Sequence, residues 1–218
     1  MNRTTAIVHL VDDDESFLKA ASRLLRVSGF TVKTFNSAAA LLAQISPETR
    51  GCVTADLHMP GVSGLDLQDA LVKSGVMLPI IFLTGKGDIP SSVRAMRHGA
   101  EDFLEKRAPK DDLVNAVKRA LDRDALECVE RNRLQALRSA FDALSRRERE
   151  VLAHVVRGQM NKQIAADLNI HERTVKLHRT AITTKLRVHS VAELTRLAHE
   201  VTLFDAGTTT LPKGKIRS

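Results

Sequence analysis

Short apolar runs alternate with amphipathic stretches through the first 120 or so positions. Ala6 to Val11 is an apolar run ended by acids, and Asp14 then stands where a helix cap is needed. Phe17, Leu18, Ala21, Leu24 and Leu25 fall on one face of a helix running to about Ser28, with Gly29 as its stop. Phe30 to Phe35 alternates like a strand, and Ser37 can cap a short helix through Leu41, Leu42 and Ile45. Cys52 to Asp56 reads as a central strand, and a helix follows from Gly64 to about Ser74. Pro79 to Thr84 is almost wholly apolar, as a parallel strand buried on both faces must be. A helix from about Pro90 to His98 stops at Gly99, Asp102 to Glu105 is a short strand, and the pattern from Lys110 is helical. This alternation predicts an α/β, doubly wound sheet of five parallel strands.

The period then changes. Neither Gly nor Pro occurs between Lys110 and Arg157, and Leu113, Val117, Leu121, Leu134, Leu137, Phe141 and Leu144 keep roughly helical spacing. A pattern of that length suggests a helical connector or a coiled-coil seam. The charge-rich Asp122 to Asn132 segment is the expected linker, and Ser145-Arg146-Arg147-Glu148 is a capping box that opens something new. Short helices follow: one with Val151, Leu152 and Val155 inward and Gly158 at its end, one over Asn161 to Leu168, one from about Glu172 to Leu186, and one capped by Ser190. On the third, Val175, Ile182 and Leu186 form an inner face, while Arg173, Lys176, Leu177, Arg179, Thr180 and Thr183 lie opposite. Two helices joined by a tight turn, the second basic outside, read as helix-turn-helix. The expected division is 5–122 for the α/β domain, 123–143 for the helical linker, 144–204 for a small all-α domain, and 205–218 for a polar, disordered tail.

Charge sharpens this division. The chain carries 33 Lys/Arg and 26 Asp/Glu, a net of +7. Residues 1–122 hold 15 of each, so the entire excess lies in the second part, as expected if that half meets a polyanion, the alternative being a merely soluble basic surface. Cys52 and Cys128 are the only cysteines and lack metal-ligand spacing, which fits a cytoplasmic chain without disulfides. No apolar run approaches the ~18 residues of a membrane span, and Asp12 interrupts any secretory signal. The absence of Trp and Tyr argues against a stacking platform for single-stranded nucleic acid.

The chemistry sits at strand ends. Asp12-Asp13-Asp14-Glu15 ends the first strand, and Asp56 ends the central one ahead of the turn residues Pro60, Gly61 and Gly64. Open α/β sheets place ligands there, and three carboxylates gathered at one edge suit a hard cation such as Mg²⁺. Asp14 and Glu15 are better read as a helix cap and a first-turn charge, and His9 as a strand residue.

These residues resemble the two-component receiver domain. Val11-Asp12-Asp13-Asp14-Glu15 matches its acidic pair, and Asp56-Leu57-His58-Met59-Pro60-Gly61 its phosphoacceptor loop. Phe82-Leu83-Thr84-Gly85 matches its switch hydroxyl, and Asp102-Phe103-Leu104-Glu105-Lys106 its switch aromatic and lysine. Thr84-Gly85-Lys86-Gly87-Asp88-Ile89-Pro90 is similar to the FixJ branch, and Leu144 to Lys176 resembles a LuxR-type helix-turn-helix domain. The resemblance implies a flavodoxin-like receiver fold and a response regulator charged on Asp56 by a sensor histidine kinase. It implies Mg²⁺ (or Mn²⁺) held by Asp13, Asp56 and the main-chain carbonyl of His58, with Asp12 acting mostly through water. Thr84, Phe103 and Lys106 are then the phosphate-contact and switch residues, while Lys86 and His58 lie near the pocket mouth.

In the second domain the resemblance places the Glu172–Leu186 helix in the major groove of double-stranded promoter DNA. Lys176 and Thr180 are the candidates for base edges and Leu177 for a thymine methyl. Lys162, Arg173, Thr174, Arg179 and Lys185 are expected on phosphates. Phosphorylated chains are expected to form homodimers through the face near Val93, Met96, Arg97 and Phe103, and RNA polymerase is a further expected partner; no membrane is. The chain is read as a transcription regulator whose only catalysis is its own phosphoryl transfer and dephosphorylation.

Two other readings compete. A haloacid-dehalogenase-type phosphohydrolase also uses a strand-end Asp, but needs a second Asp where His58 stands. A constitutive DNA binder with an idle receiver is kept in play by Arg107, which follows Lys106 where receivers usually have proline. Either a strained cis bond, costing ~2.5–4 kcal/mol, is tolerated there, or the loop is trans and Lys106 sits differently.

Overall fold

The computed structural model describes residues 6–85 and 89–208. The chain divides between Val129 and Glu130 into two compact units. The first holds a five-stranded parallel sheet in the order β2-β1-β3-β4-β5, from β1 (Ile7–Val11), β2 (Thr31–Phe35), β3 (Gly51–Asp56), β4 (Ile80–Thr84) and β5 (Asp102–Glu105). The intervening helices are α1 (Glu15–Val27), α2 (Ala38–Leu42), α3 (Gly64–Lys73) and α4 (Ile89–Arg97), and α5 (Lys110–Asp142) follows β5.

Strand alternation sorts the core into two layers. Val53, Ala55 and Phe82 point to one face, where Leu41 of α2, Leu67 and Leu71 of α3 and Ala95 of α4 cover them. Val8, Leu10, Cys52, Ile81 and Leu83 point to the other, under Leu25 of α1 and Leu113, Ala116 and Val117 of α5. Every residue of β3 and β4 is buried, which is why both read as continuous apolar runs.

Two glycines are dictated by close approach. Gly51 has φ +125°, and a Cβ there would lie 1.9 Å from the Ile7 carbonyl oxygen. A Cβ on Gly64 would lie 2.5 Å from the Asp56 carbonyl oxygen and 3.0 Å from the Phe82 ring, so glycine lets the start of α3 seat against the end of β3.

The first unit extends further than the expected end at residue 122. Asp124 is fully buried, and its Oδ2 accepts from Arg50 Nε at 2.9 Å and from the Gly51 amide at 3.1 Å. This carboxylate ties α5 to the entry of β3, so part of the charge-rich segment belongs to the packed unit. Its acidic character hid a buried partner for Arg50.

The second unit contains α6 (Arg146–Val156), α7 (Asn161–Asp167), α8 (Glu172–Leu186) and α9 (Val191–Thr208) around Leu144, Val151, Val155, Ile164, Val175, Ile182 and Leu186. The expected capping box is present: Ser145 Oγ accepts from the Glu148 amide, and the Glu148 carboxylate accepts from the Ser145 amide. The tail expected to begin at Asp205 is instead helical to Thr208, since no proline occurs before Pro212 to stop α9. The remainder of that tail lies outside the described residues.

Candidate functional site

Register assembles the acidic pocket. Val11 pairs with Ala55, so the next residues, Asp12 and Asp56, lie side by side at the carboxyl edge. β1 lies between β2 and β3, where the order of connection reverses and the crevice of such sheets opens. Asp56 is level with Leu83, and Thr84 with Glu105, which brings Thr84 and Lys106 to the same edge from β4 and β5.

Carboxylate oxygens of Asp12, Asp13 and Asp56 all lie within 4.8 Å of one another. Asp12 is fully buried and Asp56 nearly so, while Asp13 is exposed. Lys106 Nζ lies 2.7 Å from Asp12 Oδ2 and donates to Asp56 Oδ2 at 3.0 Å. The Asp12 contact is an ion pair outside hydrogen-bond alignment, so Asp12 Oδ2 is buried without an aligned donor. Its other oxygen accepts from the Asp14 amide at 2.9 Å. Burial raises the pKa of Asp12 above the usual carboxylate value, with Lys106 opposing the shift in part. Burial alone would lower that of Lys106, but Asp12 and Asp56 together outweigh it and hold the ammonium above its ordinary value. Three carboxylates whose oxygens lie within 4.8 Å of one another are a hard donor set that fits Mg²⁺.

The Lys106–Arg107 peptide is trans, and no cis peptide bond occurs among the described residues. This is the trans alternative expected from Arg107, and Lys106 reaches both acids. Backbone bonds from Lys106 N to Thr84 O, 2.8 Å, and from Ala108 N to Glu105 O, 2.9 Å, hold the turn. Phe17 on α1 completes the surroundings, with Lys106 Nζ 4.8 Å from its ring centroid. The sequence marked Phe17 only as an apolar helix position.

Thr84 is fully buried at the end of β4. Phe103 is half-buried on β5 and lies tilted to Phe82 with ring centroids 6.5 Å apart. His58 is exposed, its amide only 3.4 Å from Asp56 Oδ1. Lys86 falls outside the described residues.

In the second unit, α8 begins at Glu172 without a side-chain cap from His171 and exposes Arg173, Lys176, Leu177 and Thr180. Thr174 is half-buried, and Lys162 is exposed on α7. Arg179 Nη1 donates to Asn161 Oδ1 at 2.9 Å, linking α8 to the start of α7. Lys185 has an acidic partner within the unit that the sequence did not show. Its Nζ lies 2.7 Å from Oε2 of the buried Glu148 and 3.3 Å from the Ala143 carbonyl, although the side chain remains 40% exposed. Of the eight residues expected to meet DNA, Thr174 and Arg179 are half-buried and the other six, Lys185 included, are exposed. Sequence showed that charge without the acid it faces 37 positions away.

A phosphoacceptor-like pocket on a parallel sheet and a basic helix-turn-helix unit define a two-component response regulator, and the chain belongs to that family. Residues 8–118 match the response regulator receiver domain, and residues 142–198 match the bacterial regulatory proteins of the luxR family. The response regulator protein TmoT of Ectopseudomonas mendocina is 40% identical over 92% of this chain and 91% of its own length. The transcriptional regulatory protein FixJ of Azorhizobium caulinodans is 42% identical over 88% and 90%. Among solved structures, the response regulator StyR is similar with a TM-score of 0.81 at 42% identity, covering 90% of this chain and 100% of that one. The receiver implies a sensor kinase as partner, and the luxR-type domain implies DNA. Among the described residues no helix is long and apolar enough to cross a membrane.

Proposed function

We propose that Asp56 takes a phosphoryl group from a partner sensor histidine kinase and that this charge gates dimerisation and promoter binding. The observation that carries the reading is Lys106 Nζ held between Asp12 and Asp56 at the ends of adjacent strands. Lys106 engages Oδ2 of Asp56, leaving Oδ1 with only the long His58 amide contact and suited to attack phosphorus. The P–N bond to the donor histidine breaks, a P–O bond to Asp56 forms, and the histidine leaves with the electron pair of the broken bond. Mg²⁺ held by Asp13, Asp56, the His58 carbonyl and, mostly through water, Asp12 would supply the charge neutralisation that lets a phosphoryl group approach the acids. Lys106 offsets phosphoryl charge as a point cation.

Once the phosphoryl group is present, the Thr84 hydroxyl turns to one of its oxygens and Phe103 moves into the vacated space, biasing a bistable element. Val93 and Met96, 44% and 50% exposed on α4, support the α4 face as the dimer contact. Lys176, Thr180 and Leu177 read base edges, while Lys162, Arg173, Thr174 and Arg179 meet phosphates. RNA polymerase is the expected downstream partner. Dephosphorylation is hydrolysis of the same acyl phosphate.

Intact-mass measurement after incubation with Mg²⁺ and a small-molecule phosphodonor tests the first step. The native chain should gain one phosphoryl group and an Asp56→Ala variant none. A native chain that gains nothing, or a variant that gains as much, would overturn the reading.

A further inference from the structure

We propose that Phe17 is a positioning residue for phosphoryl transfer, holding the Lys106 ammonium at the acidic pocket through the face of its ring. The proposal rests on the reading of Asp56 as phosphoacceptor and adds a residue to that machinery. Lys106 extends from the turn after β5, and its Nζ has three close neighbours: Asp12, Asp56 and the Phe17 ring. The carboxylates attract the charge but leave Lys106 free to swing between them, or outward when one is neutralised. A ring face on one flank narrows that freedom, because its negative quadrupole favours an ammonium above it.

Phe17 is itself well fixed. Its amide and that of Ser16 both donate to Asp14 Oδ1, at 3.1 and 2.8 Å, and the Asp14 amide donates to Asp12 Oδ1 at 2.9 Å. The acid pair, the cap of α1 and the ring thus form one continuous local structure. Half-buried Phe17 packs against the core layer beneath α1 and α5, which anchors its ring from the side away from the acids. In a turn where Arg107 supplies no proline ring to restrict the backbone, this contact restricts the lysine from the side-chain end.

The test is a double-mutant cycle on the full chain, reading the rate of phosphoryl uptake from a small-molecule donor with Mg²⁺. Phe17→Leu should slow uptake by about tenfold, in line with a partly desolvated cation–π contact, while Phe17→Tyr, which keeps the ring, should stay near the native rate. In a Lys106→Gln background Phe17→Leu should add nothing. A Phe17→Leu chain that reacts at the native rate, or one that slows the Lys106→Gln chain equally, overturns the proposal. Should Phe17→Leu melt early, the ε-methylene protons of Lys106 in the native chain decide by NMR. An upfield ring-current shift, retained in Phe17→Tyr, supports the contact, and an unshifted resonance removes it. A native chain that takes no phosphoryl group overturns the Asp56 reading and this proposal together, whereas native uptake untouched by Phe17→Leu overturns this proposal alone.

Discussion

Each unit of this protein contains a lysine drawn to buried carboxylate, and the two pairings differ in how completely charge is balanced. Lys106 faces Asp12 and Asp56, with Asp13 close behind, so one cation serves three acids. Lys185 faces Glu148 alone, and the same oxygen, Oε2, also accepts the Ser145 amide at 2.6 Å. The pKa directions follow. Burial pushes Asp12 up despite Lys106, while Lys185 and the Ser145 amide hold Glu148 below its ordinary value. A surplus of like charge, retained although it costs stability, marks a site for chemistry; a closed pair of equal and opposite charges marks a joint.

The largest test of this contrast is at Asp56. Asp56→Asn should abolish phosphoryl uptake and the DNA binding that depends on it, a loss of at least ~100-fold for removal of a nucleophile, while leaving the fold intact by circular dichroism. Native-like uptake would remove the chemical half of the comparison. Glu148→Gln should destabilise the second unit by about 2 kcal/mol in denaturant titration. Breaking a fully buried pair costs ~3–5 kcal/mol, and Lys185 is 40% exposed, so solvent recovers part of it. Because the pKa of Glu148 is lowered in the fold, its contribution is present above its unfolded value near 4.5 and is lost as pH falls through the lower folded value. The difference between native and Glu148→Gln chains should therefore shrink in acid.

Asp12→Asn should have the opposite sign. The folded pKa of Asp12 is raised, so its charged form opposes folding once pH rises past its unfolded value near 3.8. Removing that charge should stabilise the first unit by about 1 kcal/mol at neutral pH, with the gain disappearing as pH falls through the folded pKa. Destabilisation at neutral pH would mean that the Lys106 pair outweighs burial. The smallest effect separates two basic residues of α8. Arg173→Ala should reduce the slope of log K against log salt by about 0.9, one phosphate contact, whereas Lys185→Ala should weaken binding with the slope unchanged.

Much of this was legible in sequence because strand ends are local. Asp12, Asp56, Thr84 and Lys106 each follow an apolar run, and parallel pairing carries all four to one edge whatever the helices do. What sequence did not carry was pairing at a distance. Lys185 looked like any basic residue on an outward face until Glu148 was placed beside it, and Phe17 looked like core until Lys106 was placed over its ring. Asp124 misled in the same way, its charge-rich neighbourhood suggesting a solvated connector although its side chain is fully buried against Arg50. The trans Lys106–Arg107 bond was within reach of the sequence, which offered it as one of two alternatives; the contacts of Lys106 with Asp12 and Asp56 were not.

That Asp124 carboxylate also governs how such proteins can be recombined. A chimaera that joined this sheet to a foreign output module upstream of residue 124 would leave Arg50 and the Gly51 amide without their acceptor at the mouth of the central strand. A junction beyond Val129 preserves it. The exchangeable cassette of this chain thus includes the first turns of what reads as spacer, and a cut at the sheet's last strand or shortly after would leave its floor unfinished.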